Sequence, residues 1–362
     1  MSGRLPASGE GLAPGWATQF ASDNTAGVCP EAMSALQGAD AGWLPSYGND
    51  EITRQVCDRM RALFETDCDV YFVFNGTAAN SLALSAMCQS YHSVICADSA
   101  HVETDECGAP EFFSNGTKLL KAHTDEGRLR VDELERLVRQ RTDIHYPRPR
   151  AVSVTQATEL GTVYRPEQIA EIATRAHDLG LGVHMDGARF ANAVASLECA
   201  PADVTWRAGV DVLCFGGTKM GLPVGEAVVF FDRGLSAEFA WRCKQAGQLA
   251  SKMRYLSAPW LGMLDDGAWL RRAGHANRMA RRLADRLGCL PDVTAHVPCE
   301  ANGVFVHLPA DCANQLREDG VGFYTFIGGA ARFMCSWATT EAAVDALAAH
   351  IEHTLQNPRT CE

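Results

Sequence analysis

Short apolar runs, each followed by a helical pattern, recur along this chain, and that alternation restricts its fold more than any other feature. Val70-Tyr-Phe-Val-Phe74 reads as a buried strand that stops at Asn75-Gly76-Thr77, and Ala78 to Ala86 follows as a helix. Ser93 to Ala97 and Ala151 to Thr155 are further strands, with a helical spacing of Val131, Leu134, Leu137 and Val138 between them. Pro166 suits the first turn of a helix whose Ile169, Ile172, Ala173 and Ala176 share one face, and Gly180 marks its end. Leu181 to Met185, Val210 to Phe215 and Ala227 to Phe231 complete the set. These strands are apolar throughout rather than alternating, as a sheet covered on both faces requires. Strand-helix-strand order implies parallel pairing through right-handed crossovers. The reading is an α/β chain with a large, mostly parallel-sheet domain over residues 46–255, preceded by an N-terminal arm over 1–45 whose first 18 residues read as a flexible tail. Beyond it, Ala268 to Leu287 reads as a long helix, Val304–Leu308, Phe323–Ile327 and Arg332–Ser336 as short strands, and Glu341 to Leu355 as a closing helix, giving a small C-terminal α+β domain over 256–362.

Charge and cysteine content narrow the function. The net charge is −12, and the basic residues are scattered, which excludes the clustered Lys and Arg of a nucleic-acid surface. The densest group, Arg271, Arg272, Arg278, Arg281 and Arg282 beside Asp285, has helical spacing and reads as a solvated face. No CxxC pair occurs among the 14 cysteines, and several, such as Cys96 and Cys214, sit inside apolar runs. They read as small packing residues of a reducing compartment rather than a disulfide framework or a zinc site. The first 20 residues carry no apolar signal core, and no apolar stretch reaches the roughly 20 residues of a membrane span. A cytoplasmic enzyme without a metal is the expectation.

In an open α/β sheet, ligands bind where strands end at their carboxyl edge. Three polar groups stand there. Asn75-Gly76-Thr77 offers backbone N–H groups at a helix start, an anion site or an ordinary helix cap. His184-Met185-Asp186-Gly187-Ala188-Arg189 ends a strand on a carboxylate that can hold a cationic ring nitrogen, with an Arg that can hold an anion; a structural Asp–Arg pair is the plain alternative. Gly216-Gly217-Thr218-Lys219 puts a lysine amid glycines after another strand, which suits a Schiff-base former. Singly each is weak. Together they supply an amine for an aldehyde, a carboxylate for a pyridinium and a helix N-terminus for a phosphate, which is what pyridoxal 5'-phosphate requires. The chain looks like a fold-type I pyridoxal-phosphate enzyme.

Finer motifs occur in order: Phe20-Ala21-Ser22-Asp23-Asn24, Tyr47-Gly48-Asn49-Asp50, Phe74 to Asn80, Ala100-His101, His184 to Arg189, and Lys219 with Pro223-Val224-Gly225. They resemble the L-threonine aldolase family, in its low-specificity branch that also handles phenylserine-type substrates, over residues of about 19 to 350. The resemblance implies reversible cleavage of L-threonine, L-allo-threonine and similar β-hydroxy-α-amino acids to glycine and an aldehyde. It implies that Lys219 carries the cofactor, Asp186 pairs with its ring nitrogen, and His101 stacks on its ring. It also implies that Gly76, Thr77 and Ala78 hold the phosphate with Thr218 nearby, and that Ser22, Arg189 and Arg332 hold the substrate carboxylate. Tyr47 would enter the site from a neighbouring subunit, with Lys252 or Arg254 supplementing phosphate binding from the partner, in a homo-oligomer built as a dimer of dimers. One departure stands out. Many relatives carry a His close to the substrate hydroxyl, where this chain has Glu159. The group that accepts the β-hydroxyl proton is therefore left open among His101, Glu159, Glu103 and a bound water. A β-eliminating or transaminating relative is the nearer rival, and a non-catalytic binding protein on the same fold the more distant one.

Overall fold

The computed structural model describes residues 19–357; the tail expected over residues 1–18 lies outside them. Helices α1 (Pro30–Gly38) and α2 (Glu51–Phe64) lead into β1 (Asp69–Val73), α3 (Gly76–Met87) and β2 (His92–Ala97). The short α4 (His101–Thr104) and α5 (Ala109–Phe113) precede β3 (Lys118–Ala122), α6 (Val131–Gln140) and β4 (Arg148–Thr155). Then come α7 (Pro166–Asp178), β5 (Gly182–Gly187), α8 (Phe190–Leu197), β6 (Val212–Phe215) and β7 (Glu226–Phe230). The chain finishes with α9 (Phe239–Gln245), α10 (Arg254–Leu264), α11 (Ala268–Leu287), β8 (Thr294–Ala295), β9 (Gly303–His307), α12 (Ala310–Glu318), β10 (Tyr324–Thr325), β11 (Ala331–Met334) and α13 (Glu341–Gln356).

Seven strands form the large sheet in the order β1-β7-β6-β5-β4-β2-β3. Strands β2 to β6 pair in parallel, whereas β7 runs antiparallel to both β6 and β1. That reversal is the exception in a sheet that is otherwise parallel, in keeping with the mostly parallel expectation. The stretch between β6 and β7 holds no crossover helix, and only antiparallel neighbours can be joined so directly. Because β1 and β6 both oppose β7, the ends of β1, β2, β4, β5 and β6 open onto the same edge of the sheet. Strand β3 was not expected, since Lys118 and Lys121 interrupt its apolar run. Both lysines are exposed, and on an edge strand they discourage pairing with another chain. The expected strand 323–327 shrinks to the two residues of β10.

The apolar core of the large sheet runs past residue 255 and back before residue 46. It draws in Cys29 and Ala32 of α1, Trp260 and Met263 of α10, and Trp269 and Ala273 of α11. Trp260 and Trp269 meet Phe215 edge-on at ring distances of 4.9 and 5.5 Å. Burying each such ring stabilises the fold by about 1.5–3 kcal/mol. A second sheet, ordered β10-β11-β9-β8 and antiparallel throughout, packs with the later turns of α11 and with α12 and α13 around Phe333, Leu283 and Ile351. Helix α11 thus serves both cores. The segment before α1 also joins them: Phe20 packs in the small core, and its backbone bonds to Gly322 and Met334. The arginines of α11 include partners across the fold, Arg272 with Glu31 and Arg282 with Asp345. Among the described residues no helix is long and apolar enough to cross a membrane.

Candidate active site

The open edge of the large sheet carries a cavity of about 330 Å3, lined by Gly76, Thr77, Asn80, His101, Glu159, Asp186, Arg189, Thr218, Lys219 and Glu226 among others. It shares His101, Glu159, Arg189 and Lys219 with a second cleft of about 410 Å3 toward the small domain, which Ser22, Tyr324, Phe326 and Arg332 also line.

Each position follows from its element. Helix α3 starts at the end of β1, and Asn75 caps it by accepting the N–H of Ala78 at 2.9 Å. That bond takes Ala78 out of the expected anion set, because its donor is already used. The N–H groups of Gly76 and Thr77 precede the helical ladder and have no acceptor within it. At Gly76 a side chain would meet only open space. Lys219 follows β6 through Gly216 and Gly217. A Cβ on Gly216 would collide with the Ala188 carbonyl, and one on Gly217 with the Gly225 carbonyl, so this turn can lie close to its neighbours only as glycine.

Asp186 ends β5, almost wholly buried. Its Oδ1 accepts the Ala188 N–H at 2.9 Å, and its Oδ2 accepts from Asn80 Nδ2 at 2.8 Å. Among the described residues no cation touches it. A buried carboxylate without a counter-charge is costly, so the cavity suits a cationic group brought in by a ligand. Together with an amine at Lys219 and unpaired N–H groups at α3, this donor set fits pyridoxal 5'-phosphate.

His101 opens α4. Its backbone N–H donates to Glu159 Oε1 at 2.8 Å, and its Nδ1 lies 2.9 Å from Glu106 Oε1. That bond, with the nearby carboxylates, raises its affinity for a proton. Glu159 also accepts from the Thr155 hydroxyl at 2.9 Å, while its Oε2 is buried without a partner. Burial, helped by the charge of Asp186, pushes the Glu159 carboxyl up to about 7.

Arg189 and Arg332 differ in readiness. The Nε and Nη2 of Arg189 grip both oxygens of Asp23 at 2.8 and 3.0 Å, in an ion pair that is largely buried. Burial opposes the charge on Asp23, yet Arg189 holds its carboxyl below the usual range. This corrects Arg189 as an open carboxylate clamp, since its bidentate face is occupied. Arg332 is held between the rings of Tyr324 and Phe326, at 5.2 and 4.9 Å, and donates to the Ala21 carbonyl. Its Nε is buried and unpartnered. Burial and the charge of Arg189 lower its proton affinity, which a carboxylate would restore. Ser22 caps the turn at Asn24 through its Oγ and lines the cleft.

The Thr218 hydroxyl donates to Glu226 Oε1 at 2.8 Å rather than standing free for a phosphate. Glu226 also accepts from Gly217 N–H, and it is buried. Tyr47 is exposed and stacks with Lys244 outside the cavity. Lys252 is exposed, and Arg254 donates to the Ala39 carbonyl, so neither lines the cavity of its own chain. Sequence reasoning missed Asp23, Asn80, Glu106 and Glu226. The available signals were slight: Asn80 falls one turn after Gly76, and Glu106 lies just past His101.

Known proteins share much of this chain. Residues 19–310 match the family model described as β-eliminating lyase. A low specificity L-threonine aldolase of Pseudomonas sp. (strain NCIMB 10558) is 59% identical over 334 residues, 92% of this chain and 96% of that one. The protein of the same name from Pseudomonas aeruginosa is 60% identical over the same shares. The solved threonine aldolase of Leishmania major superposes with a TM-score of 0.87 at 26% identity, over 93% of this chain and 99% of that one.

Proposed function

The chain belongs to the β-eliminating lyase family, and from that premise we propose how its site works as a low-specificity L-threonine aldolase. It is a pyridoxal-phosphate-dependent lyase that splits L-threonine, L-allo-threonine and related β-hydroxy-α-amino acids such as phenylserine, reversibly, into glycine and an aldehyde. The observation that carries this reading is the convergence of Lys219, the uncompensated carboxylate of Asp186 and the start of α3 on one cavity beside Arg332.

When bound, pyridoxal phosphate supplies an aldehyde for amines and an electron-withdrawing ring for the electrons of the breaking Cα–Cβ bond. Lys219 would hold it covalently, Asp186 would hold its ring nitrogen, Gly76 and Thr77 its phosphate, and His101 would lie beside its ring. Arg332 with Ser22 receives the substrate carboxylate. The two aromatic rings around Arg332 support this role, because they keep the guanidinium in place before a carboxylate arrives. Arg189 acts behind it, anchored by Asp23. Glu159 accepts the β-hydroxyl proton at its unpartnered Oε2.

We further assign a cytoplasmic homotetramer, a dimer of dimers in which Tyr47 and either Lys252 or Arg254 serve the neighbouring site. Exposed Tyr47, Phe74 and Trp241 support a self-association face, since a rim of large apolar side chains is a poor surface to leave in water. The described cysteines are free thiols, which fits a reducing compartment. Product analysis tests the reaction: L-threonine is expected to yield equal amounts of acetaldehyde and glycine. Keto acid with free ammonia would instead indicate elimination, and keto acid formed without ammonia, its nitrogen passed to an acceptor keto acid, transamination.

A further inference from the structure

Four side chains, the cavity-lining Asp186, Asn80 and His101 and the enclosed Glu106 behind them, form one chain of hydrogen bonds. Asn80 Nδ2 donates to Asp186 Oδ2 at 2.8 Å and to Glu106 Oε1 at 2.9 Å, so both of its amide hydrogens are used. Glu106 Oε1 also meets His101 Nδ1 at 2.9 Å. The Glu106 side chain is fully enclosed, and its Oε2 and the Asn80 Oδ1 are buried without partners. A carboxyl kept in such a place, with one oxygen unsatisfied, is expensive and calls for a reason.

We propose that Glu106 is a positioning residue for His101, fixing its Nδ1 as a donor and leaving Nε2 as the imidazole atom able to exchange a proton, and that Asn80 ties this pair to Asp186. The proposal rests on the aldolase reading for its catalytic meaning, but the geometry stands without it. The two acceptors around the Asn80 amide leave it one orientation. A Glu106 oxygen that already accepts from Asn80 then takes the Nδ1 proton as a second donor. The ring plane of His101 is thereby set by Glu106, which lies outside the cavity lining, rather than by a ligand within the cavity. The same chain connects the two residues expected to flank the cofactor ring, Asp186 at its nitrogen and His101 at its face.

The bond to Glu106 favours the protonated imidazole, and burial favours the protonated Glu106, so both groups hold a proton more tightly than they would in water. The other charged groups that reach His101 are Asp105, whose Oδ2 is 3.6 Å from Nε2, then Glu159 at its backbone N–H, Asp186 and Lys219. Glu103, on its own helix, is engaged by Lys121.

The test uses the full-length protein, loaded with pyridoxal phosphate and labelled with 15N in its histidines. His101 is assigned by comparison with His101→Gln. In the unsubstituted protein, the 15N shifts are expected to show Nδ1 protonated throughout, with Nε2 the nitrogen that titrates. The opposite tautomer would overturn the proposal without any substitution at Glu106. Glu106→Gln keeps the shape and an acceptor but removes the charge. It is expected to lower the titration midpoint of His101 by about one pH unit or more. With L-threonine, kcat should fall about 10- to 100-fold, with KM changed less than about threefold. A folded Glu106→Gln protein whose His101 titrates at the original midpoint would overturn the proposal, even if its turnover were lost. Failure of the aldolase reading looks different: the unsubstituted protein would release no aldehyde, while the His101 signals would still report on Glu106.

Discussion

Glu159→Gln is the substitution that separates a base from a mere wall of the cavity. Glutamine keeps an oxygen to accept from the His101 N–H and the Thr155 hydroxyl, so both bonds that hold the side chain survive. What disappears is the titration. Burial and Asp186 raise the Glu159 carboxyl from 4.5 to about 7, so it is protonated below that pH and ionised above it. A base must be ionised, so activity carried by Glu159 should rise with pH. At pH 6 only about one-tenth of the carboxyl is ionised, and at pH 5 about one-hundredth, so kcat/KM should fall about tenfold per unit on the acid side. Removing a positioned base costs typically 10²–10⁴-fold, and about 10³-fold is expected for Glu159→Gln near pH 8. The assay is aldehyde release from L-threonine between pH 5 and 9, with cofactor content checked at every point. In the variant the limb near pH 7 should be gone. If a limb of the same midpoint persists at full height, Glu159 is not the base, and the titration belongs to a neighbour such as His101.

Two further outcomes follow from buried charges. Asp23→Asn leaves Arg189 buried and unpaired, and it weakens the hold of Asn302 Nδ2 on the same carboxylate; a loss of about 3 kcal/mol is expected in urea unfolding, and a loss below about 1 kcal/mol would contradict it. His184 lies beneath the site, with Nδ1 2.9 Å from Ser153 Oγ and Nε2 3.3 Å from Cys214 Sγ, and burial lowers it from 6.5 to about 4. The unfolded chain then binds the extra proton. The contribution of His184 is full above pH 6.5 and is lost as the pH falls toward 4, by up to about 3 kcal/mol. Urea unfolding between pH 7.5 and 4.5 should therefore bring His184→Gln and the unsubstituted protein closer in stability as acid is added; a constant gap would refute this.

Most of the large sheet was legible because its strands are buried on both faces and so carry apolar runs, as Val212–Phe215 does. The antiparallel β7 was not, because apolar patterning reports burial and not direction. Strand β3 was hidden by its edge lysines. Lys219 and Asp186 were readable because they stand at strand ends on the open edge, whereas His101 and Glu159 were reached only through the family resemblance. The residues that hold others in place were not legible. Asn80 meets Asp186, Asp23 meets Arg189 and Glu226 meets Thr218 only through tertiary packing, and nothing in the local sequence distinguishes them from a helix face, a turn or a strand end.

Lys219→Ala examines the central claim most directly. Loaded with pyridoxal phosphate, the unsubstituted protein should show the visible absorbance of a lysine-bound cofactor, which borohydride should trap on the peptide that contains Lys219, and it should release acetaldehyde from L-threonine. The Lys219→Ala protein should lose that absorbance, the trapped label and nearly all turnover. An unsubstituted protein that binds no pyridoxal phosphate, or a variant that keeps the label and the turnover, would contradict it.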